Sequence, residues 1–147
     1  MRNTIRMTTP AAAVLALASQ LMAGGFFLQL GNPEANAEAR KLNAAILVKA
    51  AGCHDPADAS LEATAIGTVN GERREIALKV DKLSEPGTFA ITQQWPKEGK
   101  WVIRLTAKNP QQFTNTLVVA GPSGVERLKA KYDMHPFTAS DVDAMLQ

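Results

Sequence analysis

"SLEATAIGTVNGERREIALKV", residues 60–80, decides the fold class. On its first arm Leu61, Ala63, Ala65 and Val69 share one face with Gly67, while Glu62, Thr64 and Thr68 take the other together with Ile66. On its second arm Ile76, Leu78 and Val80 alternate with Ala77 and Lys79. An apolar residue at every second position marks a strand with one buried face. Between the arms stands Asn70-Gly71, the residue pair best suited to the two positive φ values of a type I′ turn. The stretch predicts an antiparallel hairpin.

Downstream the same rhythm repeats. In "GTFAITQQW" (87–95) Phe89, Ile91 and Trp95 alternate with Thr88, Thr92 and Gln94, and in "KWVIRLTA" (100–107) Trp101, Ile103 and Leu105 alternate with Val102, Arg104 and Thr106. "PKEG" (96–99) separates them, because Pro96 and Gly99 both interrupt strand pairing. A second hairpin is expected there, with both tryptophans near one end of the core. "QFTNTLVVAG" (112–121) reads as another strand, "GVERLKAKY" (124–132) as the last and "NAAILVKAAG" (43–52) as the first. "TASDVDAML" (138–146) reads as a helix, with Thr138 or Ser140 to cap it and Val142, Met145 and Leu146 as its apolar stripe. Six or seven short strands without helices between them predict an antiparallel, immunoglobulin-like β-sandwich with a short C-terminal helix.

The N-terminus obeys a different pattern. Arg2 and Arg6 precede "AAAVLALASQLMAGGFFLQL" (11–30), an apolar run without charge, and "GNPEANA" (31–37) follows with an Ala-x-Ala exit. A positive start, an apolar middle and a small-residue exit are the parts of a secretory leader. Residues 1–37 are therefore expected to be a signal peptide cleaved after Ala37, or else an anchor held in the membrane through residues 11–30. Residues 38–136 would then be the sandwich and 137–147 the helical tail. The expected location is periplasmic or extracellular, with no membrane insertion after cleavage.

Composition narrows the partners. The chain has 147 residues, 16 Lys+Arg and 14 Asp+Glu, a formal charge of +2. Its cations are scattered, whereas a nucleic-acid binder needs them clustered; no nucleic-acid partner is expected. Arg127, Lys129 and Lys131 alternate along the expected last strand as a solvated face. The one cysteine cannot form an internal disulfide, so the core must hold the fold.

The stretch 86–106, "PGTFAITQQWPKEGKWVIRLT", resembles the Gly-x-aromatic…Pro-x-x-Gly-x-Trp hairpin of the YtkA-like and FixH-like exported bacterial β-sandwich domains. The resemblance implies a cell-envelope module, sometimes associated with copper handling or oxidase assembly. It assigns no site, because Gly87, Phe89, Trp95, Gly99 and Trp101 read as turn and core. The chain also departs from a copper-handling pattern in lacking a His-rich or Met-rich tract.

Chemistry is confined to few places. "AAGCHDP" (50–56) holds Cys53 and His54, and four readings compete for it. A cysteine nucleophile needs an aligned base, and His54, adjacent on an extended segment, points to the other side. A lipid-attachment cysteine sits poorly with Lys49 four residues before it. A metal site is the one multi-residue possibility: Met134-His135 echoes Cys53-His54, and thiolate, thioether and imidazole suit Cu(I). In a seven-stranded sandwich the loop after the first strand and the tail after the last emerge at the same end, where the two pairs could meet. The simplest reading is a loop, in which Cys53 is a small apolar side chain and Asp55-Pro56 a turn. No phosphate loop, zinc spacing, Ser-His-Asp set or dinucleotide fingerprint occurs. The sequence thus predicts a non-catalytic binding or structural module with an unidentified envelope protein as partner and no cofactor, with copper bound by Cys53, His54, Met134 and His135 as the alternative.

Overall fold

A computed structural model describes residues 25–52 and 55–147. It is an all-β domain of two antiparallel sheets with a short C-terminal helix. The strands are β1 (Phe27–Gly31), β2 (Ala44–Ala51), β3 (Ser60–Val69), β4 (Glu72–Leu78), β5 (Asp81–Lys82), β6 (Thr88–Thr92), β7 (Trp101–Lys108), β8 (Phe113–Gly121), β9 (Gly124–Val125) and β10 (Lys131–Asp133). The helices are α1 (Ala37–Lys41) and α2 (Ala139–Leu146). One sheet runs β1-β2-β6-β5; the other runs β10-β8-β7-β3-β4, with β9 on β8.

The hairpin of residues 60–80 forms as its pattern dictates. Val69 pairs with Glu72, and Asn70 (φ 52) and Gly71 (φ 80) make the turn. Ala63, Ala65 and Leu78 face the other sheet, in one cluster with Leu28, Ile46, Val48, Phe89, Ile91, Ile103, Leu105 and Val118. Trp95 and Trp101 belong to that cluster and are buried. Removing each Val, Leu, Ile or Phe side chain of this cluster from water contributes about 1.5–3 kcal/mol, so the intersheet layer is the main source of stability. The Trp101 Nε1–H, which burial would otherwise leave unsatisfied, donates to the Glu98 carbonyl at 3.2 Å.

Ile66, the apolar residue on the polar face of β3, also finds a partner. With Val102, Leu117 and Val119 it lies on the outer face of its sheet, where Val142 and Met145 of α2 cover it. The smaller sheet is covered likewise: Ala39 of α1 and Leu83 pack against Ala90. Of the two expected caps it is Thr138 that caps α2, in a reciprocal box with Asp141.

Three expectations need correction. Residues 87–107 are not a hairpin: β6 pairs with β2 and β5 in one sheet, while β7 pairs with β3 and β8 in the other. The segment 93–100 carries the chain across the sandwich, and Pro96, lacking an N–H, suits such a crossing better than a ladder. The Gln94 side chain supports the neighbouring crossing, accepting from the Lys79 N–H (2.8 Å) and donating to the Lys79 carbonyl (3.0 Å) where the chain leaves β4. The strand expected over 124–132 is broken, because Arg127–Lys129 form a 3-10 turn between β9 and β10. The expected start of the sandwich at residue 38 also falls too late. Phe27–Gly31, read as the end of the apolar leader, form β1, which pairs with β2 from Phe27↔Ala51 to Gly31↔Leu47. Phe26 and Leu28 are buried in the intersheet core, so this part of the apolar run alternates as a strand. Residues 1–24, which carry the rest of the expected leader, lie outside the described residues. Among the described residues no helix is long and apolar enough to cross a membrane.

Candidate functional site

Among the described residues the sheet order leaves five strands each with one open edge, β1, β4, β5, β10 and the two-residue β9, and their chemistry differs. β4 carries Glu72, Arg73, Arg74 and Glu75 along its length, and β5 is only Asp81–Lys82. Charge and shortness protect an edge from pairing with another chain. β1, "FLQLG", has neither charge nor proline. β10 is short but places Tyr132 at the edge of the opposite sheet.

The edges of β1 and β10 stand together on one side of the sandwich. A groove of about 390 Å³ runs between them, lined by Phe27, Leu28, Gln29, Leu30 and Tyr132. It continues into a hollow of about 450 Å³ bounded by Gly25, Phe26, Phe27, Thr114, Tyr132, Asp133, Met134 and His135. Of the six large apolar side chains exposed among the described residues, three lie here: Phe27 (43%), Tyr132 (50%) and Met134 (65%). Exposed apolar side chains are ordinary when scattered, but a contiguous set marks a contact surface.

At the polar end of the hollow, Asp133 accepts from the His135 backbone N–H at 2.7 Å and lies 3.1 Å from its ring Nδ1. The bond from the His135 N–H, with that from the ring, holds the Asp133 carboxyl below its ordinary range. The His135 side chain itself is 88% exposed. Partial burial pushes the Tyr132 phenol up, so it stays a neutral donor at physiological pH.

Of the four residues expected to gather copper, Met134 and His135 line this hollow, while Cys53 and His54 lie outside the described residues. Gly52, the residue before Cys53, packs against the start of β1. A Cβ built on it would stand 2.3 Å from the Gly25 carbonyl oxygen and 3.1 Å from the Phe26 Cα, and its φ is +134°. No side chain fits there. Gly25 and Phe26 also bound the hollow with Met134 and His135, so the segment that leads to Cys53 ends beside it. Among the described residues no three His, Cys, Asp or Glu side chains gather as a metal site.

Sequence reasoning missed Phe27 and Tyr132. The signal for the first was present, in the alternation of Phe26, Leu28 and Leu30 against Phe27 and Gln29. Its place at the end of a longer apolar run hid it. No local pattern marks Tyr132, whose neighbour across the groove lies about a hundred residues earlier in the chain. Comparison with family models, curated proteins and solved structures yields no match to this chain.

Proposed function

We propose that the chain is an exported, non-catalytic module of the bacterial cell envelope that binds an extended segment of a protein partner along the open edge of β1. The single observation that carries this reading is the contrast between edges: β1 is uncharged beside a groove rimmed by the exposed Phe27 and Tyr132, whereas Glu72, Arg73, Arg74 and Glu75 charge β4. A strand added to β1 would gain main-chain hydrogen bonds from the outward N–H and C=O groups, and its alternate side chains would enter the groove. The immunoglobulin-like arrangement and the YtkA-like/FixH-like resemblance of residues 86–106 belong to the same proposal, as does location outside the cytoplasm. The test is photo-crosslinking in living cells from position 29 or 132, with position 74 on β4 as control. A discrete adduct at 29 and 132, absent at 74 and lost on adding Phe27→Lys, is expected. No adduct at 29 or 132, or an equal one at 74, refutes the assignment.

A second reading has one observation in its favour: the segment entering Cys53 ends beside the hollow that Met134 and His135 line. In this reading Cys53, His54, Met134 and His135 supply thiolate, thioether and imidazole ligands to Cu(I). Titration with Cu(I) under reducing conditions should show tight binding that weakens at least tenfold in Cys53→Ser and in Met134→Leu. Unchanged affinity in Cys53→Ser removes the site.

A further inference from the structure

The fold makes a demand on the leader that the apolar pattern alone does not express. Residues 26–39 are structural throughout. Phe26 and Leu28 are buried between the sheets, and β1 forms a full ladder with β2. Asn32 accepts from the Glu34 N–H at 3.1 Å and Asn36 from the Ala39 N–H at 2.9 Å, capping the 3-10 turn Pro33–Ala35 and α1 in succession. Ala39 is fully buried, and Glu38 binds the Ser84 backbone N–H at 2.9 Å. A cut after Ala37 would strip away Phe26 and β1, taking the Phe26 and Leu28 side chains out of the core, and leave α1 without its cap. It would also open β2 as a new edge.

Once Phe26 belongs to the core and Phe27–Gly31 to the sheet, the apolar segment before them shortens to "AAAVLALASQLM", residues 11–22. That stretch is well short of the roughly 20 apolar residues needed to span a hydrocarbon core of about 30 Å. It falls within the roughly 7–15 residues of a leader's apolar segment. The residues that follow it, Ala23-Gly24-Gly25, are a small-x-small exit. Gly25 is exposed and precedes the first strand, whose ladder begins at Phe27, so cleavage there would leave the sheet intact.

We infer that the export leader is cut at Ala23-Gly24-Gly25, with the bond after Gly25 as the one its small-x-small pattern favours, not after Ala37, so that β1 and the groove beside it are retained in the mature protein. The inference rests on the export reading above. The reaction is hydrolysis by an envelope signal peptidase that accepts small side chains. The peptide bond breaks, and water supplies the hydroxyl of the new carboxylate and a proton of the new amine. The mature chain then starts at Gly24, Gly25 or Phe26, at the rim of the hollow that Met134 and His135 line.

The test is expression of the full-length chain in a bacterium with an intact secretion pathway, followed by fractionation, N-terminal sequencing and intact-mass measurement. The expected product is an envelope protein beginning at residue 24, 25 or 26. Ala37→Gln should leave that start unchanged, and the double substitution Ala23→Gln, Gly25→Gln should accumulate uncut precursor. An envelope protein beginning at Glu38 overturns the inference while leaving export intact, and so does an uncut chain in the membrane fraction. An uncut chain confined to the cytoplasm overturns both. Should the double variant fail to express, the native start site and the Ala37→Gln arm still decide the matter.

Discussion

A missing methyl group at Gly67 lets the Trp101 indole seat itself against β3. The two residues are cross-strand partners, and a Cβ on Gly67 would lie 2.5 Å from the Trp101 Cε3. Gly67→Ala must push the ring out of a close-packed layer and should lower unfolding free energy by about 1–3 kcal/mol. Its near-ultraviolet circular dichroism should also change, because the indole loses its fixed setting; an unaltered denaturation midpoint would contradict this account. Thr116 presents the opposite case. It is fully buried on β8, and its hydroxyl has no hydrogen-bond partner among the described residues. Thr116→Val keeps the shape and removes the unpaired group, so urea denaturation should show a gain of about 1 kcal/mol. Neither effect is legible from sequence, where Gly67 is one small residue in a strand and Thr116 one of several threonines. The distance to a partner strand decides both.

At the level of elements, α2 shows how a local signal and a tertiary contact divide the work. Thr138 accepts from the Asp141 N–H at 3.2 Å, and Asp141 accepts from the Thr138 N–H at 2.7 Å. That box was legible as a Thr three residues ahead of an acid. What α2 does was not, because the apolar outer face it covers is contributed by Ile66, Val102, Leu117 and Val119 from three separate strands. Thr138→Ala should cost about 1 kcal/mol and raise hydrogen exchange first at the α2 amides and then at the covered strands. Exchange confined to the hairpin at Asn70-Gly71 would mean that α2 is not the lid described. The hairpin of residues 60–80 was fully legible, since a two-residue turn leaves one way for its arms to pair. The segment 87–107 was misread on the same logic. Its connection is long enough to cross the sandwich, and alternation tells which side of a strand is buried without telling in which sheet the strand lies.

Across the whole molecule, several exposed carboxylates accept hydrogen bonds or pair with cations, and their titration contributes to the loss of stability in acid. Glu38 is held below its ordinary 4.5 chiefly by the Ser84 hydroxyl, and Glu85 by the Lys49 ammonium. Glu126 is lowered by Lys129 and Asp141 by the Thr138 hydroxyl. A carboxyl whose folded value lies below its unfolded value stabilises the fold fully above the unfolded value and loses that contribution as pH falls through the folded one. Thermal unfolding should therefore be flat from neutral pH to about pH 5 and fall at more acid pH. Glu38→Gln should lower the midpoint at pH 7 and shrink the difference between pH 7 and pH 3. A midpoint that rises on acidification would refute this linkage.

By itself the sequence determined the class of structure: alternating strands, the Asn70-Gly71 turn, the capped C-terminal helix and a core that needs no disulfide. Each depends on residues close together in the chain, whose periodicity and turn chemistry act locally. Only the tertiary structure decided that β1 belongs to the sheet, that β6 and β7 part company, and that the open edges of β1 and β10 form one groove. These facts depend on pairing between residues far apart, and the free energy of that pairing comes from the partner's buried surface, which no single stretch of chain contains.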